Sequence, residues 1–246
     1  LANGSNYQIA EEVFKKFGFN TFVYNNKPNG KNINKNCGST SINDLPDLVK
    51  NNNSDYGLSM DGDGDRIVIV DNKGRVLDGD DILYSIIRGK ILNNEEVKGV
   101  VGTTMTNLAF ENFLKNEKIK FLRTNVGDKY VLEAMIKNGF TIGGETSGHI
   151  LLLDKLTSGD SIIASLVFLY YSSILKTNGV NDLLKKFPQK ITNIKINKSL
   201  PINIINVAIK ETLDKYSEKN IRLVIRKSGT ENCIRIMVEA ENDKIV

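Results

Sequence analysis

The sequence predicts an α/β protein: two consecutive mixed-sheet α/β domains followed by a small α+β C-terminal domain. Three observations carry that expectation. Segments with helix and strand periods alternate along the first three quarters of the chain, the pattern of α/β architecture. Pro188 then punctuates a change to a shorter strand–helix–strand–strand run. At 246 residues the chain exceeds the usual size of a single hydrophobic core. The expected blocks are residues 1–73, 74–187 and 188–246.

In the first block, Leu1-Ala2-Asn3-Gly4 reads as the end of a strand turning into a helix. Ser5–Phe17 carries Tyr7, Ile9, Val13, Phe14 and Phe17 at helical spacing and stops at Gly18, a natural C′ residue. Phe19–Tyr24 alternates as a strand, and residues 25–40 are rich in turn formers. A short helix is expected at Leu45–Lys50, then strands at Ser54–Met60 and Ile67–Val70 around an acidic loop.

The second block alternates. Helices are expected at Asp80–Leu92, Thr106–Glu117, Gly127–Asn138 and Ser158–Lys176, with strands at Lys98–Gly102, Ile119–Arg123, Phe140–Gly143 and Ile150–Leu153. In the third block, strands at Ile191–Asn197, Ile221–Arg226 and Ile234–Ala240 surround a helix at Ile204–Tyr216. The chain opens on Leu1 rather than Met, inside what reads as a domain. A fragment is therefore expected, truncated at the start of the first block and open to truncation at the end of the third.

Bulk properties exclude several classes. Hydrophobic content of 40% with 25% charged residues is ordinary for a soluble globular protein. The net charge is only +4 and the basic residues are scattered rather than striped, so no nucleic-acid partner is expected. The longest apolar stretch, Ser161–Leu175, is too short and too polar to span a bilayer, so no membrane association is expected either. No signal peptide is visible, and Cys37 and Cys233 read as reduced thiols of a cytoplasmic protein.

The run Asp61-Gly62-Asp63-Gly64-Asp65-Arg66 carries the strongest chemical signal. Like charges at that spacing repel, and a divalent cation removes the penalty. Glycines between the carboxylates let all three converge on one ion. Hard carboxylate oxygens, with no His or Cys nearby in the sequence, favour Mg²⁺ or Ca²⁺ over zinc. An EF-hand loop needs Gly sixth and Glu twelfth, but Arg66 and Asn72 stand there. Lying at a strand end, the loop sits where open α/β sheets hold ligands.

Three further motifs are less specific alone. Gly143-Gly144-Glu145-Thr146-Ser147-Gly148-His149 offers a carboxylate and hydroxyls for vicinal sugar hydroxyls, or is a polar β-turn with a capping Ser. His149, the chain's one histidine, is expected to orient rather than react. Arg226-Lys227-Ser228-Gly229-Thr230-Glu231, with Arg235 beyond, suits a phosphate cradle or a basic hairpin turn. It lacks the spacing of a nucleotide P-loop. Asn125-Val126-Gly127-Asp128-Lys129-Tyr130 opens a helix whose first turn attracts anions, although Asp128 could equally complement the dipole.

Taken in order, these motifs resemble the α-D-phosphohexomutase superfamily, which carries an Asp-Gly-Asp-Gly-Asp-Arg metal loop, a Gly-Glu-x-Ser-Gly-His sugar loop and an Arg-x-Ser-Gly-Thr-Glu phosphate loop on successive domains. Here they are Asp61–Arg66, Gly144–His149 and Arg226–Glu231. Asn32-Ile33-Asn34, Cys37-Gly38-Ser39, Val126–Val131 and Lys227 further resemble the bacterial phosphoglucosamine mutase branch.

The resemblance implies a Mg²⁺-dependent cytoplasmic isomerase that interconverts glucosamine 6-phosphate and glucosamine 1-phosphate. The route runs through a phosphoserine enzyme and a 1,6-bisphosphate, and feeds UDP-N-acetylglucosamine and peptidoglycan. It implies metal ligation by Asp61, Asp63 and Asp65 and a catalytic cation at Arg66. Substrate contacts are implied for Glu145, Ser147, His149, Lys129, Arg226, Ser228, Gly229, Thr230 and Arg235. The partner implied is a glucosamine phosphate, and a homodimer is compatible with the sequence.

There are departures. The superfamily's Ala-Ser-His-Asn-Pro segment is absent from these residues, so this chain alone is expected to be inactive. Asn232 stands where Pro is usual, and Lys129 where the branch usually has Arg, exchanging a fork for a point charge. Two other readings remain open, a phosphomannomutase/phosphoglucomutase and a non-catalytic phosphosugar-binding remnant.

Overall fold

The structure is a computed structural model that describes residues 1–180, 183–195, 202–216, 221–227 and 233–242. Two compact units form, one of Leu1–Thr106 with Phe110–Leu184, the other of Asn107–Ala109 with Lys185–Val246. The α/β class expected from the sequence is the one adopted.

The first unit opens with a 3₁₀ turn at Ser5–Tyr7 and helix α1 (Ile9–Lys16). Glu11 and Glu12 in its first turn and Lys15 and Lys16 in its last complement the helix dipole. Helix α2 (Leu45–Asn51) follows after a long irregular stretch. Strands β1 (Tyr56–Met60), β2 (Ile67–Asp71) and β3 (Val76–Leu77) then make an antiparallel sheet in the order β1-β2-β3. Met60 faces Ile67 in the ladder, so the acidic loop is the connection between two paired strands. All of β2 is buried, which matches its unbroken Ile-Val-Ile-Val run.

Helix α3 (Gly79–Leu92) starts at a capping box in which Asp78 accepts from the Asp81 backbone and the Asp81 side chain accepts from that of Asp78. Next come β4 (Gly99–Thr103), α4 (Leu108–Asn116), β5 (Lys120–Thr124), α5 (Asp128–Asn138), β6 (Ile142–Gly144), β7 (Ile150–Leu152) and α6 (Ser161–Thr177). The four strands form a mixed sheet in the order β5-β4-β6-β7, parallel except for the β6–β7 pair. Its central strand β4 is buried throughout, as a parallel strand covered on both faces must be. Ile67, Ile69, Leu77, Ile82, Ile86, Phe110 and Phe168 join one core between the two sheets and helices α3 and α6.

The second unit has strands β8 (Gln189–Lys195), β9 (Ile221–Lys227) and β10 (Cys233–Ala240) in the antiparallel order β8-β10-β9, with helix α7 (Ile202–Tyr216). The fully buried Glu239 carboxylate accepts from Gln189 Nε2 at 2.6 Å, from the Leu108 amide at 3.0 Å and from the Arg222 guanidinium. A buried charge is tolerated when it is paired in this way.

The expected helices form, with ends shifted by up to a few residues. The strand expected at Phe19–Tyr24 does not form: residues 19–24 are irregular and pair with no ladder among the described residues. Alternation makes a segment fit to be a strand, but only a neighbouring edge makes it one. Ile196 and Asn197, expected in β8, lie outside the described residues. Cys37 and Cys233 are both buried and not joined in a disulfide. Among the described residues no helix is long and apolar enough to cross a membrane.

Candidate functional site

The β1–β2 loop turns tightly, with Gly64 at φ +79°, a conformation glycine adopts without penalty. The turn brings one oxygen each from Asp61, Asp63 and Asp65 to within 4.8 Å of one another. Asp61 is buried, Asp65 half-buried and Asp63 exposed, so the cluster opens to solvent on one side. Burial pushes the Asp61 carboxyl above its usual range, the Arg66 amide pulls it down, and neighbouring Asp65 pushes it up again.

Two observations test the cluster for a cation. Asp65 Oδ1 is buried and makes no hydrogen bond, while the carboxylate's other oxygen is held by His149 Nδ1 at 3.0 Å. A buried carboxylate oxygen without a donor is costly in itself, and a metal ion would satisfy it. All three donors are hard oxygens, the set that suits Mg²⁺ or Ca²⁺. Arg66 stands beside them, with Nε 3.9 Å from Asp61 Oδ2 and its amide on Asp61 Oδ1 at 3.0 Å.

The loop after β6 closes on this cluster. Arg66 and His149 form an antiparallel bridge, and the Ile67 amide donates to the Gly148 carbonyl at 3.1 Å. The approach is close enough that a Cβ on Gly148, at φ +92°, would lie 2.1 Å from Ile67 O. Glycine is therefore required at that position by both strain and space. His149 is only 5% exposed and packs against Gly159. Ser147 is exposed at the tip of the turn.

Glu145 is buried, and its Oε1 accepts from the Gly127 amide at 2.8 Å, at the N-terminus of α5. A carboxylate there is favoured by the helix dipole. Lys129, in the first turn of the same helix, is exposed and 3.9 Å from Glu133. The acidic loop, the Glu145–His149 turn and the start of α5 are thus brought together in one unit.

The second unit holds the remaining predicted residues. Arg226 of β9 and Arg235 of β10 are register partners. Ser228, Gly229 and Thr230 lie outside the described residues.

Sequence reasoning missed the residues that hold the acidic loop from beneath. Ser161 Oγ donates to the Gly64 carbonyl at 2.8 Å, Asn6 Nδ2 donates to Ser161 Oγ at 3.0 Å, and the Ser5 amide donates to Gly62 O at 2.8 Å. Thr146 Oγ1 donates to Asp80, whose side chain is buried beside the Glu145–His149 turn. No local pattern marks these partners, because Asn6 and Ser161 stand 155 positions apart.

Models of three consecutive domains of one family match the chain: the phosphoglucomutase/phosphomannomutase alpha/beta/alpha domain II over residues 1–74, alpha/beta/alpha domain III over 78–191 and the C-terminal domain over 181–246. The chain belongs to this family. Among curated members it is 41% identical to phosphoglucosamine mutase of Pseudoalteromonas translucida, across 100% of this chain and 56% of that protein. It is 43% identical to that of Thermodesulfovibrio yellowstonii, across 98% of this chain and 55% of that protein. The chain thus spans about half the length of these family members.

Solved structures of the family share the fold. A phosphoglucomutase/phosphomannomutase family protein from Burkholderia thailandensis superposes with TM-score 0.76 at 16% identity, covering 99% of this chain and 56% of that one. N-acetylphosphoglucosamine mutase of Aspergillus fumigatus, solved with GlcNAc-6P and magnesium, gives 0.68 at 21% identity, covering 95% and 60%.

Proposed function

We propose that the full-length protein is a phosphoglucosamine mutase, interconverting glucosamine 6-phosphate and glucosamine 1-phosphate in the cytoplasm through a phosphoserine and a 1,6-bisphosphate. One observation carries the reading: a three-carboxylate cluster with an unsatisfied buried oxygen lies against the Glu145–His149 turn within one folded unit. The identity to phosphoglucosamine mutases over the whole chain supports this substrate.

Asp61, Asp63 and Asp65 would hold Mg²⁺, which when bound neutralises charge on a transferring phosphoryl group. Arg66 adds a fixed cation at the same edge. His149 keeps the Asp65 carboxylate turned toward the cluster through their 3.0 Å contact. Glu145, held by the α5 N-terminus, keeps its remaining acceptor capacity for a sugar hydroxyl, and exposed Ser147 can donate or accept beside it. Lys129 supplies a mobile positive charge near that turn.

Arg226 and Arg235, with Ser228, Gly229 and Thr230, would grip the phosphate that is not reacting. Such a remote grip positions the reacting hydroxyl, so its loss lowers rate as well as affinity. In this reading residues 1–73 carry the metal loop, 74–187 the sugar loop and 188–246 the phosphate loop.

The test is turnover by the full-length protein on glucosamine 6-phosphate, mannose 6-phosphate and glucose 6-phosphate with Mg²⁺. A kcat/KM highest by at least about tenfold on the amino sugar supports the proposal. Preference for mannose or glucose phosphate would favour the phosphomannomutase/phosphoglucomutase reading, which the structural likeness to such a family protein makes the main rival. Binding without turnover of any of them would leave a phosphosugar-binding protein.

A further inference from the structure

The Glu145–His149 turn is pinned along two edges. Its base is closed by its own backbone, the Glu145 amide donating to the His149 carbonyl at 3.0 Å and the Gly148 amide to the Glu145 carbonyl at 2.9 Å. The Gly148–His149 edge lies on β2 through the Ile67 amide and the Arg66 bridge. The other edge lies on the first turn of α3. There the Gly79 amide donates to the Thr146 carbonyl at 3.1 Å, and the Thr146 hydroxyl lies 3.2 Å from both Asp80 carboxylate oxygens. The approach is close: a Cβ on Gly79 would lie 1.9 Å from the Glu145 carbonyl oxygen.

The N-terminus of α3 is capped without the Asp80 side chain. Asp78 and Asp81 form the capping box, and Asp78 Oδ1 accepts from the Asp80 and Asp81 amides. A first-turn carboxylate complements the helix dipole without being buried. Asp80 is nevertheless only 1% exposed, a costly place for a carboxylate unless hydrogen bonds hold it. Such burial suits a rigid acceptor for the half-buried Thr146. Next to Thr146 stands Glu145, whose carboxylate accepts from the Gly127 amide at 2.8 Å.

We propose that Asp80 is a positioning residue for this turn, acting through the Thr146 hydroxyl to hold the Glu145 carboxylate at the N-terminus of α5. The role of Glu145 toward a sugar hydroxyl rests on the function proposed above, whereas the anchoring does not. The two edges then divide the work. The Arg66–His149 edge aims Asp65 in the acidic cluster, and the Thr146–Asp80 edge aims Glu145. Threonine suits the second task, because its β-branched side chain is stiff at χ1 and keeps the hydroxyl in place. Releasing that edge loosens the backbone beside Glu145, and a small misplacement of a substrate-binding group is enough to lower rate. The metal cluster, held from the other edge, keeps its geometry.

Amide hydrogen exchange at Gly127 in the full-length protein, without substrate or metal, reads the anchor. Gly127 caps α5, where the first amides have no intrahelical acceptor, so its protection reports the Glu145 carboxylate. Thr146→Val, which keeps the shape and loses the hydroxyl, should speed that exchange about tenfold or more, as expected when one hydrogen bond to a charged group is freed. Thr146→Ser should restore the slow exchange. Asp80→Ala should match Thr146→Val, and the double variant should add nothing further, as for residues acting through one contact. Where Asp80→Ala fails to fold, the two Thr146 variants decide. On glucosamine 6-phosphate, Thr146→Val should also lower kcat/KM about tenfold or more, with Mg²⁺ affinity within about twofold of the unsubstituted protein. Unchanged Gly127 exchange in Thr146→Val overturns the proposal. Equal acceleration in Thr146→Ser does so too, since it would reveal a packing effect alone. A parallel loss of Mg²⁺ affinity would mean that the turn moves as one body, and overturns it as well. An unsubstituted protein inactive on every phosphosugar would sink the proposed function, while the Gly127 exchange would still decide the anchor.

Discussion

His149 Nδ1 stands 3.0 Å from Asp65 Oδ2, so the chain's one histidine holds a carboxylate of the acidic loop from the far side of the site. The contact uses one oxygen of Asp65, which belongs to the three-carboxylate cluster, and leaves the other buried and without a donor. A side chain that aims a metal ligand typically changes affinity 10–100-fold when removed, roughly the range expected here. His149→Ala should weaken Mg²⁺ binding about tenfold or more by calorimetry, and His149→Asn, which keeps a donor near the Nδ1 position, should recover part of the loss. Equal losses in both variants would argue that the ring only fills space beside Gly159.

Asp63 separates metal binding from folding. It is exposed, whereas Asp61 is buried and bonded to the Arg66 amide. Asp63→Asn should lower Mg²⁺ affinity by at least about tenfold while leaving the metal-free melting temperature within a degree or two. In the unsubstituted protein, saturating Mg²⁺ should raise that temperature, because a ligand of the folded state stabilises it by mass action. No Mg²⁺-dependent rise would remove the metal site from the account.

Gly148 is where the acidic loop and the sugar turn meet backbone to backbone. A methyl group there faces Ile67 O at 2.1 Å with φ at +92°. Gly148→Ala should destabilise the protein by on the order of 3 kcal/mol, well above an ordinary surface change. Urea titration would measure it. A change under about 1 kcal/mol would mean that the two loops separate easily.

Glu95 ties α3 to α6 away from the site. Partial burial works against its charge, but hydrogen bonds from Asn93, Tyr171 and Lys90 pull the carboxyl down to about 2. Burial first, and Glu95 second, raise the Tyr171 hydroxyl above its ordinary value. A depressed carboxyl adds stability above its unfolded value of 4.5 that is lost as pH falls toward 2. Because the Glu95 side chain is 34% exposed, solvent screening reduces the effect to about 1 kcal/mol at neutral pH. Glu95→Gln should lose that stability at pH 7 and flatten the decline between pH 4.5 and 2. An unchanged acid limb would place the acid-sensitive groups elsewhere.

Local signals were enough for much of the molecule. The order of helices and strands follows from apolar spacing, since each element's period is written within its own ten or so residues. The acidic loop was legible for the same reason: Asp61, Asp63 and Asp65 repel at short range whatever surrounds them. Residues 19–24 show where that reasoning stops. Their alternation is the same with or without a neighbour, and whether they form a strand depends on an edge that the segment does not itself contain.

Tertiary structure alone decided which distant groups meet. It set His149 on Asp65, Glu145 on the Gly127 amide, and Ser161 between Asn6 and Gly64. A hydrogen bond joining residues 97 or 155 positions apart leaves no periodicity to read, because it depends on the summed course of all the elements between them. The sequence by itself determined which chemistry the chain could carry; packing determined which atoms are aimed and which are merely present. The reason is physical: charge and periodicity act over a few residues, whereas orientation is set by close-packed contacts between elements that only the folded chain brings together.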